Sequence, residues 1–324
     1  MPNIQLLIKG TGGKIFEPIV EDGIELETNR QGAPSRLTFT VIKDNVISFP
    51  EGAKVQLKVD GVGVFIGFVF EKSRDKAQRI QVTAYDQLRY FKNTGNYRYT
   101  NKRADEVLRM IVGDYPLFKL GTVENTGFKI AFRDEVDNTL IDTMLNALDI
   151  TEASTKKKFI LYDDFGKIVL RNSESLLSNL LIDASTAENF DYVSSIDEDT
   201  YNQIRLVYDN KDTGKREVYL TRDNVSIGNW GLLEYFQTIQ KETNGKNMAE
   251  GLLSLKNRKT RHLTIRNAFG DPKVRAGFSV GVQLNLGDVN VQNRLLCDTV
   301  THHFSCDYHT MDLTLSGKDG MFTG

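Results

Sequence analysis

The sequence is poor in several residue types that restrict what a protein can do. Its 324 residues include only two cysteines, Cys297 and Cys306, together with six prolines and one tryptophan. Two thiols in a chain of this length give no disulfide framework, which is typical of a reducing compartment. Neither charge is in excess, since 41 basic and 43 acidic residues leave a net charge of -2. This balance argues against a specific nucleic-acid partner, because nucleic-acid binders normally carry a basic face.

Long hydrophobic runs are also missing. No apolar segment approaches the roughly 20 residues that a membrane-spanning helix needs, so we expect no membrane partner. The apolar burst between Ile4 and Ile8 has no basic leader and no cleavage site, and it predicts a strand rather than a signal peptide. We therefore expect a protein made in the cytosol that does not leave by the ordinary secretory route.

The first part of the chain, residues 1–96, shows the period of strands. The segments Arg36 to Val41, Lys54 to Val59 and Ile80 to Ala84 each alternate apolar and polar residues, as half-buried strands do. Asp60-Gly61 joins two such segments and is typical of a tight hairpin. The glycines of the following apolar run predict bulges of the kind that close small barrels. Residues 1–96 are therefore predicted to form an N-terminal β-barrel domain.

Helical periodicity begins near residue 100. One apolar stripe runs from Ala104 to Ile111, with Thr100 or Asn101 as its expected N-cap. A second stripe runs from Ile141 to Leu148, with Asp137 or Asn138 as its expected N-cap. Phe159 to Tyr162 and Lys167 to Leu170 flank a turn and predict a hairpin. Residues 97–185 are therefore predicted to form an α+β domain.

Strand patterns return in residues 186–324. The segment Ile204 to Tyr208 is expected to pair with Val218 to Leu220 across the turn 212–214. A helix is predicted over Gly245 to Asn257, within a helical insertion around residues 228–261. The remaining segments predict a second β-barrel domain. The predicted fold class is mainly β with α+β insertions: two small barrels, an inserted α+β domain and a further helix.

Two segments of the predicted barrels are near copies. Val55-Gln-Leu-Lys-Val and Val282-Gln-Leu-Asn-Leu each precede a tight turn and a long apolar strand. Alternating strands resemble each other by necessity, so chance is one reading of the match. The other reading is two related barrels in one chain, which lets three subunits approximate a ring of six.

Candidate chemistry is sparse in the sequence. There is no phosphate loop and no His-Glu-x-x-His motif. His302, His303, Cys306 and His309 cluster, with Cys297 upstream, and are zinc-type ligands. Adjacent residues on a strand point to opposite faces, so His302 and His303 cannot both bind one ion without a bulge. We therefore predict a hairpin here, and no metal, cofactor-binding or catalytic residue.

Three other groups of residues have a functional and a structural interpretation. The acidic runs Asp134-Glu135-Val-Asp137 and Asp197-Glu198-Asp199 lie in turn-rich segments, where we expect solvated carboxylates rather than a hydrolase pair. The basic run Lys256 to Arg261 is interpreted as a solvated helix end. Trp230 and Tyr235 either anchor an interface or cover a domain core.

The order of several segments resembles a known family. The C-terminal residues Gly277 to Leu286, the segments Thr301-His-His-Phe304 and His309 to Leu315, and the N-terminal Arg36 to Val41 carry the resemblance. They are similar to tail hub proteins of PBSX-type prophages and of tailocins, which are related to late control protein D. The resemblance spans nearly the whole chain.

The resemblance implies a structural, non-enzymatic role in a phage tail, a tailocin or a contractile injection system. The implied assembly is a homotrimer whose two barrels per subunit form a pseudo-sixfold ring between the tail tube protein and the spike protein. Baseplate wedge and tape-measure proteins are the other implied partners. The implied location is the baseplate of a virion or tail-like particle. The alternatives are a tail-associated peptidoglycan hydrolase and a carbohydrate- or receptor-binding β-protein.

Overall fold

A computed structural model describes residues 1–44, 46–186, 188–210, 213–239, 245–287, 289–317 and 321–323. The chain is mainly β with helical insertions, which confirms the predicted fold class. Two residues of the predicted turns, Asp212 and Asp288, lie outside the described residues. None of the described helices is both long enough and apolar enough to cross a membrane.

The N-terminal part is a curled antiparallel sheet. Its strands are β1 (Ile4–Lys9), β2 (Ile15–Phe16), β3 (Ile24–Asn29), β4 (Arg36–Ile42), β5 (Lys54–Val59), β6 (Val62–Arg74) and β7 (Arg79–Tyr85). They are ordered β3-β4-β7-β6-β5-β1-β2. Residues from both ends of this order, such as Leu6 on β1 and Leu26 on β3, share one hydrophobic core. The sheet therefore wraps around that core, as in a small barrel.

The alternation in sequence explains these strands. Every second residue of β4, β5 and β7 is buried, as predicted. Asp60 and Gly61 both have positive φ, at 51° and 77°, which confirms the tight hairpin between β5 and β6. The β5–β6 register shifts between Leu57 and Lys58, opposite Gly63, so the predicted bulge is present.

The next unit is α+β. Its elements are β8 (Thr94–Lys102), α1 (Ala104–Asp114), β9 (Leu120–Val123), β10 (Ile130–Thr139), α2 (Leu140–Thr155), β11 (Phe159–Asp163) and β12 (Ile168–Asn172). Both predicted helices and the predicted hairpin β11–β12 are present and share one core. The predicted caps are wrong. Thr100 and Asn101 belong to β8, which pairs with β10, and α2 is capped by Thr139, whose hydroxyl accepts from the Asp142 amide at 3.1 Å.

The C-terminal part contains a second curled sheet. Its strands are β13 (Leu177–Asp183), β14 (Asn189–Ser195), β18 (Thr260–Phe269), β19 (Ser279–Asn285), β20 (Asn290–Phe304), β21 (His309–Ser316) and β22 (Phe322–Thr323). Its core is built from β13 and β18 to β22. Between β14 and β18 the chain leaves this sheet and forms a separate small unit.

That inserted unit has its own sheet and core. Its elements are β15 (Gln203–Asn210), β16 (Lys215–Arg222), α3 (Asn224–Trp230), β17 (Glu234–Thr238) and α4 (Gly245–Lys256). The predicted pairing of β15 with β16 is confirmed, with Leu206 opposite Tyr219. The predicted helix over Gly245 to Asn257 is confirmed as α4, which buries Ala249 and Leu252 against this sheet.

The two curled sheets have the same strand order. The spatial order is β14-β18-β21-β20-β19-β13 in the second sheet and β3-β4-β7-β6-β5-β1 in the first. Strands at the same position in the two orders also follow one another in the same order along the chain. One difference is the last pair, which is antiparallel in the first sheet and parallel in the second. The chain therefore contains two copies of one six-stranded arrangement.

The hydrogen bonds correct the register of the repeated segments. Gly52 N donates to Val69 O at 2.7 Å, and Gly277 N donates to Cys297 O at 2.8 Å. Counting from Gly52 and Gly277, the equivalent of Val55 is Val280 rather than Val282. The short sequence match was therefore displaced by two residues, a shift that keeps the same face of the strand buried.

Candidate assembly interface

The two sheets are joined through one edge of β20. Near its start this edge pairs with β19, up to Leu296 opposite Ser279. From Thr299 onward the same edge pairs with β3 of the first sheet, through to Phe304 opposite Ile24. The other edge of β20 pairs with β21 over Leu296 to Phe304. One 15-residue strand therefore serves both sheets and makes them continuous.

A bulge marks the point where β20 changes neighbour. Its register against β21 shifts between Cys297 and Thr299, which leaves Asp298 as the extra residue. The Arg30 amide donates to Asp298 O at 2.9 Å, and the Arg30 guanidinium lies 2.6 Å from Asp298 Oδ1. The two side chains are 17% and 14% exposed, so this charge-assisted contact is only weakly screened by water.

Buried contacts continue across the joint. The Thr28 hydroxyl donates to Val300 O at 3.3 Å and accepts from the Ala276 amide at 3.0 Å. Phe304, at the end of β20, lies in the core of the first sheet, whereas Val300 lies in the core of the second. The two cores are therefore linked by successive inward residues of one strand.

The histidine cluster lies on β20 and β21 beside this joint. His302 is buried, whereas His303 lies on the opposite face, near Asp312 and Glu25, as the strand geometry predicted. The carbonyl of Val274 can only accept, so His302 Nε2 donates to it at 2.8 Å. His302 Nδ1 must then accept from His309 Nε2, at 2.9 Å.

Both imidazoles are neutral near pH 7. Burial lowers the pKa of His302 to about 3 and the pKa of His309 to about 4. Cys306 is exposed at the hairpin turn, and Cys297 is buried in the second core. Within the described ranges, no three His, Cys, Asp or Glu side chains converge as metal ligands.

Sequence reasoning missed a buried carboxylate pair where three units meet. Asp86 follows β7, and Asp163 ends β11 at 4% exposure. Asp163 accepts from Gln87 and from the Gly166 amide, and Arg275 from the second sheet donates to its carbonyl at 2.6 Å. Burial, followed by the charge of Asp86, raises the pKa of Asp163 to about 7. Hydrogen bonding and charge thus hold the first sheet, the α+β unit and the second sheet together.

The acidic runs divide into a buried and an exposed group. Glu135 is 2% exposed, so the expectation that this run is solvated is wrong for it. It accepts from Arg133 at 2.7 Å, from Asn138 at 2.6 Å and from Asn146 at 3.2 Å. These partners fix it as a structural ion pair. Asp199, in the second run, is exposed and pairs with Lys256.

Two cations of the basic run, Lys256 and Arg261, lie against aromatic rings. The Lys256 ammonium lies 5.7 Å from the ring centre of Tyr201 and 5.3 Å from that of Tyr235. Tyr235 packs on the core of the inserted unit, which favours its core-covering interpretation. Arg261 contacts the Phe322 ring at 5.7 Å. Both cations are thus used for packing.

Two further features bear on catalysis. Gly277-Phe-Ser-Val-Gly281 has the Gly-x-Ser-x-Gly pattern of a nucleophile elbow. An elbow requires a strand-to-helix turn, whereas Ser279 begins β19 and pairs with Leu296 inside a sheet. Separately, Asp149 lines a cleft of about 420 Å³ between α2 and α4. Its side chain is exposed to solvent at the mouth of this cleft, where partial desolvation by the neighbouring walls raises its pKa.

Comparisons with known proteins agree with this architecture. The family described as YQBQ-like matches residues 24–316. The phage-like element PBSX protein XkdQ of Bacillus subtilis strain 168 is 27% identical over 316 residues, which cover 94% of this chain and 95% of XkdQ. The 43 kDa tail protein of prophage MuSo2 from Shewanella oneidensis has a TM-score of 0.72 at 11% identity, with 98% and 99% of the two chains covered.

A third similarity is to a component of the E. coli type VI secretion system, described as structurally similar to T4 tail proteins. Its TM-score is 0.57 at 12% identity, covering 97% of this chain and 77% of that one. At such identities the solved structures establish the fold alone. The similarity to XkdQ confirms the resemblance to PBSX-type tail proteins. Because its family match covers nearly the whole sequence, the chain belongs to the YQBQ-like family.

Proposed function

We propose that this chain is a structural baseplate hub subunit of a phage tail or phage-tail-like particle. In this proposal three copies form a pseudo-sixfold ring that joins the tail tube to the central spike. The observation that carries it is the internal duplication: two sheets of one strand order are joined edge to edge within the chain. Because the joined edges differ, the contact is head to tail, and head-to-tail contacts form rings when their rotation closes.

The remaining units have a place in the same proposal. The two curled sheets, near the ends of the chain, would form the ring itself. The α+β unit, from β8 to β12, would lie outside the ring and contact wedge and tape-measure proteins. The protein would assemble in the bacterial cytoplasm and reside in the baseplate. The tail relatives support this location, and the buried ion pairs Arg133–Glu135 and Arg30–Asp298 support a structural use of the charged side chains.

A mass measurement combined with electron microscopy tests the proposal. The full chain, purified alone and together with candidate tail tube and spike proteins from the same source, is examined by mass photometry and negative-stain imaging. A homotrimer with a ring-shaped projection showing six peripheral masses is expected. A compact monomer in both preparations would overturn the proposal.

A tail-associated peptidoglycan hydrolase is the second candidate, and Asp149 is the observation that favours it. A carboxyl group with a raised pKa in a cleft is what a general acid requires. Incubation of the pure protein with cell walls tests this candidate. It requires muropeptide release that is lost in Asp149→Asn. Absence of release from the wild-type protein eliminates it.

A further inference from the structure

Each of the two sheets has one strand edge that no described strand pairs with, although the equivalent edge of the other sheet is paired. In the second sheet, the part of β20 beyond its bulge pairs with β3. In the first sheet, the equivalent part of β6 is Glu71–Arg74, which pairs with β7 on one side. Among the described strands, none pairs with the other side of Glu71–Arg74, because the β5 pairing ends at Phe68.

The two long strands correspond residue by residue at this point. The β6–β7 register shifts between Val69 and Glu71, so Phe70 is a bulge residue like Asp298. The hydrogen bonds that precede both bulges also match. Val69 N donates to Ala53 O at 2.9 Å, and its counterpart Cys297 N donates to Phe278 O at 2.8 Å. The part of β6 after Phe70 therefore has the backbone geometry that receives a strand in the second sheet.

The strand missing from that position has a counterpart as well. By its place in the strand order, β14 is the equivalent of β3. Glu25 lies opposite Thr38 as Asp191 lies opposite Thr264, which makes Asp191 equivalent to Glu25. Of the described strands, β18 alone pairs with β14. Its outer edge is therefore open.

The open strand carries apolar side chains that are costly to leave in water. Phe190 is 37% exposed and Val193 is 55% exposed, on a strand with a free backbone edge. Proteins normally cover or charge such an edge, because it is a template for pairing with another chain. In β3, the counterpart strand, the inward residues Ile24 and Leu26 are 3% and 2% exposed.

We infer that β14 of one copy pairs antiparallel with residues Glu71–Arg74 of a second copy, and that this contact repeats the joint between β20 and β3. This inference rests on the proposed hub function and names the surface through which its subunits meet. Transfer of the observed register predicts which residues lie opposite each other in the two copies. The predicted pairs are Glu71 with Ser195, Lys72 with Ser194, Ser73 with Val193, and Arg74 with Tyr192.

The two joints differ in the side chains that meet there, and this difference determines which sheet lies next to which in the ring. At the joint within the chain, Arg30 pairs with the bulge residue Asp298. At the proposed joint, the equivalents are Ile196 and the bulge residue Phe70, which are both apolar. If β3 paired with Glu71–Arg74 and β14 paired with β20 instead, Arg30 would lie against Phe70 and Asp298 would lose its cation. Loss of this cation is costly where water is partly excluded. First and second sheets would therefore alternate around the ring.

Disulfide crosslinking tests the predicted register. Directly opposed residues on antiparallel strands have Cβ atoms about 4.5–5.5 Å apart, close enough for a disulfide after small adjustments. The full chain carrying Cys306→Ser, to remove the exposed thiol, receives Ser73→Cys together with Val193→Cys. Mild oxidation and non-reducing electrophoresis should then give covalent dimers and trimers. Reducing agent should return all of them to monomers.

Two matched pairs control for reactivity. Glu27→Cys with Thr301→Cys reproduces the joint within the chain and should crosslink without increasing the mass. Ser73→Cys with Val218→Cys moves one thiol to β16, at nearly the same exposure of 56% against 55%, and should give no covalent trimer. If the protein is trimeric by mass and Glu27→Cys with Thr301→Cys crosslinks, but Ser73→Cys with Val193→Cys does not, the inference is overturned. The proposed function would be left intact by that result.

A charge at the edge gives a second measurement. Ser194→Lys should weaken the trimer in mass photometry, whereas Val218→Lys should leave it unchanged, because only the former places an ammonium group directly opposite Lys72 of the second copy. Equal trimer populations in the two variants would overturn the inference. A wild-type protein that is monomeric alone and with its tube and spike partners would overturn the proposed function and the inference together.

Discussion

Replacement of Asp163 by asparagine should make the stability of this protein less dependent on pH. Asp163 lies where the first sheet, the α+β unit and the second sheet meet, and it is 4% exposed. Burial and the charge of Asp86 raise its pKa from 3.8 to about 7. The folded protein therefore holds a proton on this group over a pH range in which the unfolded chain has released it.

The direction of the effect follows from proton binding. Between pH 4 and pH 7 the folded state binds more protons at Asp163 than the unfolded state does, so stability falls as pH rises through this window. A shift of about three pKa units corresponds to a total loss of ~4 kcal/mol, of which ~2 kcal/mol falls between pH 5 and pH 7. Asparagine does not ionise, so Asp163→Asn should lack this loss.

The assay is the thermal midpoint of the wild type and of Asp163→Asn, measured between pH 5 and pH 8. The wild type should lose several degrees relative to the variant across this range, on the basis of ~2 °C per kcal/mol for a large domain. Asp164→Asn removes the same charge from the next residue, which is exposed, and should keep the wild-type slope. Parallel pH profiles for the wild type and Asp163→Asn would refute the reasoning.

Three further predictions concern the joint and its surroundings. A maleimide should label Cys306 and leave Cys297 unreacted in the folded protein, because Cys297 is buried and its thiol has a raised pKa; mass spectrometry of the intact protein should show one adduct. Asp298→Ala should destabilise the protein by about 2 kcal/mol in denaturant unfolding, since it leaves a partly buried cation unpaired, whereas removal of the exposed carboxylate in Asp209→Ala should leave the unfolding midpoint nearly unchanged. Phe304→Ala should cost about 3–5 kcal/mol and should increase hydrogen exchange in the first sheet, although the residue lies near the C-terminus; unchanged exchange there would contradict its place in that core.

The strands and helices that the sequence could predict are those with one solvent-exposed face and one buried face. The strands β4, β5 and β7 alternate cleanly for this reason, and α1 and α2 show one apolar stripe each. The helix caps were missed because Thr100 and Asn101 have a competing use in the β8–β10 pairing. Local sequence supplies several candidate caps near each helix, and strand pairing over some 30 residues decides among them.

The candidate interface was less accessible to sequence reasoning. The burial of Glu135 depends on Asn146, 11 residues away on a different element, so its polar neighbours gave the wrong prediction. The match between Val55 and Val282 indicated the duplication but not its register, because the β19–β20 hairpin is longer than the β5–β6 hairpin. The change of neighbour along β20 left no local mark in the sequence. It depends on a strand that comes some 270 residues earlier.

The shared strand β20 also determines when the first sheet can be completed. The Thr28–Val300 hydrogen bond spans 272 residues, so the partner of β3 is synthesised long after β3 itself. At a synthesis rate of about 5–20 residues per second, the edge of β3 stays open for roughly 15–50 s. During that interval β20 of another chain, released before its own β3 has paired, offers the same edge, and its capture of β3 would yield a domain-swapped dimer. The speed with which a chain's own C-terminus returns to its N-terminus thus decides between a correctly folded subunit and a misassembled one.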